Sequence, residues 1–219
     1  MDRKGNTAPI VHQSNQDQAI HKTSYYIINT ITLYRLITAP LLLFLILYEQ
    51  IFLFKWLLVF SFLTDAVDGI LARRYKVVSA MGAKLDSLGD DLTVIAGIVG
   101  LFAFKPDFIY PELGWLIFLF ILFLVEIIAA LNRYGKTTSF HTILAKIAAI
   151  LQGAFLILAF FLPEPIRLLF YLAVAFTALD LLEEIVLIYL LPKWKANVKG
   201  IYWLLKQDHG PAGKSPAGN

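Results

Sequence analysis

Four aspartates are set at regular spacing in the stretch DAVDGILARRYKVVSAMGAKLDSLGD, which runs from Asp65 to Asp90. Asp65 and Asp68 are three residues apart and Asp86 and Asp90 four, so on helices each pair occupies one face, at about 60° and about 40° of separation. The link between the pairs is short and carries Arg73, Arg74 and Lys76. A short link returns the second helix beside the first, and the four carboxylates are then expected to converge. Crowded carboxylates repel one another and take up protons unless cations neutralise them. An all-oxygen donor set with no His or Cys nearby selects a hard divalent ion, Mg²⁺ or Mn²⁺ in preference to Ca²⁺. Four acids suffice for two ions, and paired metals stabilise attack on phosphorus. Gly69 and Ala72 share the Asp65 face and leave room beside it, Gly82 stands one turn before Asp86, and Arg73 offers a phosphate its fork of donors.

The elements that must carry these residues are membrane helices. The chain has 219 residues, 58% of them hydrophobic and 16% charged, with a mean hydropathy of +0.69, a composition of polytopic membrane proteins rather than soluble domains. It has no cysteine, which excludes disulfides and thiolate metal sites. A hydrocarbon core of about 30 Å needs about 20 apolar residues. Six segments qualify: Ile27 to Tyr48, Phe52 to Arg73, Gly82 to Phe104, Gly114 to Leu131, Thr142 to Leu162 and Ile166 to Leu191. The fold class expected is therefore all-α, with six transmembrane helices preceded by a juxtamembrane segment. Residues 1–24 form a polar N-terminal segment, 25–192 the membrane domain, and 193–219 a basic interfacial and disordered tail. Basic residues gather beside one set of loops, among them Arg73, Arg74, Lys76, Arg133, Lys136, Lys193 and Lys195, against Lys55, Lys105 and Arg167 beside the other. By the positive-inside rule both termini are cytoplasmic, and the aspartates lie at the cytoplasmic face of the cell (inner) membrane.

These residues resemble the CDP-alcohol phosphatidyltransferase family. The stretch fits its pattern D-x-x-D-G-x-x-A-R-x8-G-x-x-x-D-x-x-x-D, with Asp65, Asp68, Gly69, Ala72, Arg73, Gly82, Asp86 and Asp90 all in place. In the first span, Asn29, Thr32 and Arg35 resemble the N-x-x-T-x-x-R that often opens bacterial members, and the motif segment looks most like the phosphatidylglycerophosphate synthase branch. The resemblance implies that CDP-diacylglycerol, or a similar CDP-linked lipid, gives its phosphatidyl group to a small alcohol acceptor and releases CMP. It implies that Asp65, Asp68 and Asp86 bind one metal and Asp65, Asp86 and Asp90 a second, with Asp90 also the general base. Asn29, Thr32, Gly69, Ala72, Arg73 and Gly82 would contact the CDP-lipid, and the protein would act in the lipid bilayer as a homodimer. No nucleic-acid partner is expected.

The motif does not name the acceptor. Glycerol 3-phosphate is the first expectation, with Arg74, Arg133, Lys136 and Lys146 as candidate partners for its phosphate. For Arg133 and Lys136 plain anchoring at the cytoplasmic face is an equal reading. Inositol or its phosphate, serine or another polar alcohol is the alternative, and Asp91 weakens the case for a phosphorylated acceptor, because glycerol-phosphate and inositol-phosphate branches often carry Lys or Arg straight after the last motif aspartate. In the last span Asp180, Glu183 and Glu184 need partners in the membrane; a buried ion-pair network with Arg35, Lys84 or Lys146 is expected, near Glu126. A transporter or ion pathway is the reading from another class, and it requires carboxylates strung through the bilayer rather than gathered at one face. His12, His21, His141 and His209 show no ligand spacing.

Overall fold

A computed structural model describes residues 37–75, 80–138, 140, 142–194, 198, 200–202 and 204, with the side chains of 65–75, 80–88 and 90 left out. All regular structure among the described residues is helical. The elements are α1 (Ile37–Leu47), α2 (Ile51–Tyr75), α3 (Ala80–Phe104), α4 (Pro106–Ile109), α5 (Leu113–Tyr134), α6 (Ile143–Phe161) and α7 (Arg167–Leu190). They form two compact units, Met1–Pro106 and Asp107–Asn219.

In the first unit α1 gives way to α2 through a tight turn at Tyr48–Gln50. Glu49 takes a left-handed φ of 55° there, and the amides of Glu49 and Gln50 bond back to the carbonyls of Ile46 and Leu45. α2 and α3 are unbroken by proline and pack against each other. Phe54 near the start of α2 meets Phe104 at the end of α3, with ring centroids 5.4 Å apart, so the two helices run antiparallel.

In the second unit α7 packs against both α5 and α6. α5 stops at Gly135, whose left-handed φ of 67° lets its amide close on the carbonyl of Leu131, a conformation glycine adopts without a Cβ penalty. α6 starts at Thr142, whose side chain accepts the amide of Ala145 and so satisfies one of the orphan donors of the first turn. At the opposite end, Phe108, Phe155 and Phe170 form an aromatic cluster, with centroids 5.3 to 5.9 Å apart. Beside it the buried carboxylate of Glu112 accepts from Tyr171 Oη at 2.9 Å and lies 4.0 Å from the Arg167 guanidinium.

The segment after Pro192 folds back onto this unit. Val198 joins the buried cluster of Ala130, Phe140, Leu187, Ile188 and Leu191, and Ile201 and Leu204 pack against it. The outer faces of both units are greasy: Leu47, Phe52, Leu53, Phe60 and Leu63 in the first, and Phe120, Ile128, Leu168 and Tyr189 in the second, are exposed. Apolar surface of this extent suits lipid rather than water. α5 and α6 are long and apolar enough to cross a membrane, while Ile37–Leu47, Ile51–Thr64 and Asp91–Phe104 are shorter apolar stretches.

Candidate functional site

Ser61 of α2 and Thr93 of α3 are both buried, and their hydroxyl oxygens lie 3.1 Å apart. This contact fixes which faces of the two helices meet, and at what level. From Ser61, Asp65 and Asp68 lie four and seven residues further along α2; from Thr93, Asp90 and Asp86 lie three and seven residues back along α3. At 100° per residue all four backbone positions fall within about 60° of the facing residue on their own helix. At 1.5 Å per residue, Asp65 and Asp90 are displaced by about 5 to 6 Å, and Asp68 and Asp86 by about 10 Å, from the Ser61–Thr93 level. Because the helices are antiparallel, both displacements run toward the α2–α3 link. The side chains of the four aspartates, and those of Gly69, Ala72, Arg73, Arg74 and Gly82, lie outside the described residues, as do Asn29 and Thr32 altogether.

The second unit holds a separate polar cluster. Thr138 Oγ1 lies 2.7 Å from Glu126 Oε1 and 2.9 Å from Glu184 Oε2, bridging α5 and α7. Thr142 donates to Asp180 Oδ1 at 3.0 Å while accepting from Ala145. Glu183 accepts the amide of Ile201 at 3.0 Å and thereby caps the helical turn of the returning C-terminal segment. Among the described residues these acids meet hydroxyl and amide donors; a neutral hydroxyl satisfies a buried carboxyl oxygen without a second buried charge. Of the candidate cations, Lys146 is exposed on α6 and Arg35 and Lys84 lie outside the described side chains.

Arg133 and Lys136 are engaged elsewhere. Arg133 donates from Nε and Nη2 to the carbonyl of Leu191 and from Nη2 to that of Tyr189, all at 3.2 Å. Tyr134 Oη adds bonds to the carbonyls of Ile188 and Leu191. Together they cap the C-terminus of α7, where four carbonyls have no helical partner. Lys136 Nζ sits 3.7 Å over the Trp194 ring, and Trp194 Nε1 donates to the carbonyl of Thr137. Sequence reasoning missed Ser61, Thr93, Thr138 and Thr142. The only signal available was that each is a hydroxyl residue inside or beside an apolar run, facing an acid or another hydroxyl on the neighbouring helix.

The family model for CDP-alcohol phosphatidyltransferases matches residues 25–179. The chain belongs to the CDP-alcohol phosphatidyltransferase family. It is also 44% identical over 66 residues to the CDP-diacylglycerol–inositol 3-phosphatidyltransferase of Saccharomyces cerevisiae, a stretch that is 30% of this chain and 30% of that relative. The chain thus aligns with less than a third of the curated relative it matches. No solved structure matches it. Membership of this family accords with the lipid-suited exterior of the fold and with a membrane protein.

Proposed function

We propose that the protein transfers a phosphatidyl group from CDP-diacylglycerol, or a similar CDP-linked lipid, to a hydroxyl of a small polar alcohol and releases CMP. The observation that carries this reading is the Ser61–Thr93 contact, because it brings the helix faces bearing Asp65, Asp68, Asp86 and Asp90 opposite each other. Support also comes from the family match across residues 25–179. The reading has six membrane spans with both termini cytoplasmic, residues 25–192 forming the membrane domain, and the aspartates at the cytoplasmic ends of α2 and α3 in the inner membrane.

The donor set suits two Mg²⁺ or Mn²⁺ ions: four aspartates whose backbone positions lie at facing levels of α2 and α3, with all-oxygen side chains and neither His nor Cys in the motif. Asp65, Asp68 and Asp86 would hold one ion and Asp65, Asp86 and Asp90 the other. When bound, the ions supply charge neutralisation for the diphosphate and for the CMP leaving group. Arg73 pairs with a phosphate oxygen, while Gly69, Ala72 and Gly82 leave space for the nucleotide. Asp90 accepts the proton of the acceptor hydroxyl as its oxygen attacks the lipid-bearing phosphorus and the bond to CMP breaks. Asn29 and Thr32 contact the CDP-lipid from the first span.

For the acceptor, an uncharged polyol of the inositol type is favoured over glycerol 3-phosphate. Arg133 and Lys136 are committed to the Leu191 carbonyl and the Trp194 ring, and Asp91 rather than a cation follows Asp90. The exposed Lys146, with Arg74, keeps glycerol 3-phosphate as the second reading. The test is CMP release by purified protein from CDP-diacylglycerol with Mg²⁺ or Mn²⁺ across a panel of inositol, inositol phosphate, glycerol 3-phosphate and serine. The expected result is release that requires an acceptor and is lost in Asp90→Asn. No CMP with any acceptor overturns the reading.

A further inference from the structure

Two hydroxyls are buried between α2 and α3 at a level where a pair of alanines would pack without polar atoms to satisfy. Thr93 Oγ1 lies 2.8 Å from the carbonyl oxygen of Gly89, and 3.1 Å from Ser61 Oγ. A hydroxyl carries one proton and a carbonyl only accepts. The Thr93 proton therefore goes to Gly89, and Ser61 must be the donor to Thr93. The result is a directed relay from α2 to α3: Ser61 O–H to Thr93 Oγ1, then Thr93 O–H to the Gly89 carbonyl. That carbonyl belongs to the peptide unit that also contributes the amide of Asp90. On α2 the neighbouring turn carries a similar device, with Thr64 Oγ1 lying 2.8 Å from the carbonyls of both Phe60 and Ser61, immediately before Asp65. Side-chain bonds of this type to a preceding carbonyl bend a helix locally.

We propose that Ser61 and Thr93 are positioning residues for the phosphatidyl transfer, holding the Gly89–Asp90 peptide at a set distance and rotation from the Asp65 turn of α2. Neither is part of the aspartate motif, and neither reaches the reacting atoms. The inference rests on the transferase reading above for its kinetic consequence, but not for its effect on metal binding. Interhelical hydroxyl bonds in membrane proteins add little to stability. Their loss is felt instead as a shift of the carboxylates they align, and a displacement of about 1 Å is enough to cost about 100-fold in rate.

The experiment uses the full chain in detergent with three variants: Thr93→Val, which keeps the shape and removes the relay; Ser61→Ala, which cuts it from the other helix; and Thr93→Ser, which preserves it. Three quantities are read: CMP release, the Mn²⁺ concentration giving half of the Mn²⁺-induced rise in Tm, and the Tm without metal. Thr93→Val and Ser61→Ala are expected to lower turnover by about 10- to 100-fold and to raise the half-effective Mn²⁺ concentration by about 10-fold. The metal-free Tm should move by less than about 3 °C, and Thr93→Ser should stay near wild type in all three. Active wild type with unchanged Thr93→Val and Ser61→Ala overturns the positioning role and leaves the transferase reading standing. A wild type that takes up Mn²⁺ but releases no CMP overturns the transferase reading, and the Mn²⁺ shifts of the variants then decide the positioning role. A large fall in metal-free Tm that Thr93→Ser shares overturns it in favour of simple packing.

Discussion

The guanidinium of Arg133 donates from both Nε and Nη2 to the carbonyl oxygen of Leu191, each at 3.2 Å. A cation at the last carbonyls of a helix meets both their unsatisfied lone pairs and the negative end of the helix dipole. Arg133→Gln is expected to lower stability by about 1 kcal/mol, since the group is exposed and partly screened. The KM for the acceptor should change by less than about twofold. Thermal unfolding and acceptor titration of the same preparation check both.

Thr138 stands between two carboxyl groups from different helices, Glu126 and Glu184. Replacing it with valine keeps the shape and removes the single hydroxyl that the buried Glu126 and half-buried Glu184 carboxyls share, a loss of about 1 to 3 kcal/mol. Thr138→Ser, which retains the hydroxyl, should cost much less. Glu184→Gln should likewise lower Tm with little effect on acceptor KM. A raised KM at unchanged Tm would assign this cluster to acceptor binding instead.

Gly200 has φ of 133°, and a Cβ built there would come within 2.8 Å of Glu183 Oε1. Gly200→Ala therefore combines backbone strain with a clash against the carboxylate that caps Ile201. The expected outcome is loss of protection for the Ile201 amide in hydrogen exchange and faster proteolysis of the C-terminal segment. The α6–α7 contacts, such as the 2.6 Å bond from Gln152 to Thr177, should survive.

Removal of divalent ions should abolish CMP release, because the four aspartates then repel one another at the substrate diphosphate. Activity should return on adding Mg²⁺ or Mn²⁺. Any activity persisting in excess chelator would contradict the carboxylate-held ion pair.

Much of the helical frame is legible in the sequence. Spans expected from Phe52, Gly114, Thr142 and Ile166 begin as helices at Ile51, Leu113, Ile143 and Arg167, because long apolar runs bounded by Pro, Gly and charged residues leave the chain few other solutions. The aspartate pairs are legible for the same reason, since helical spacing alone places each pair on one face. Hydroxyl pairings are not. Ser61 and Thr93 are 32 residues apart and show no periodicity of their own, so only the packing of α2 on α3 reveals them. Charge counting near the membrane edge reads Arg133 and Lys136 only as cations at the right depth. The bonds of Arg133 to Tyr189 and Leu191 depend on how α7 ends against α5, and the contact of Lys136 with Trp194 on the chain reversal after Pro192; composition signals neither. Val198, Ile201 and Leu204 have the three-residue spacing of a helical apolar stripe, and this suits a protein core as well as a bilayer surface.

That reversal sets an order of assembly. The cluster around Ala130, Phe140, Leu187 and Ile188 is completed by Val198, Ile201 and Leu204, which leave the ribosome after every other member of it. Chains fold from the N-terminal end as they are made, so this corner of the second unit closes only once the segment beyond α7 has emerged, and a premature stop just beyond α7 would leave an oily opening where that segment belongs.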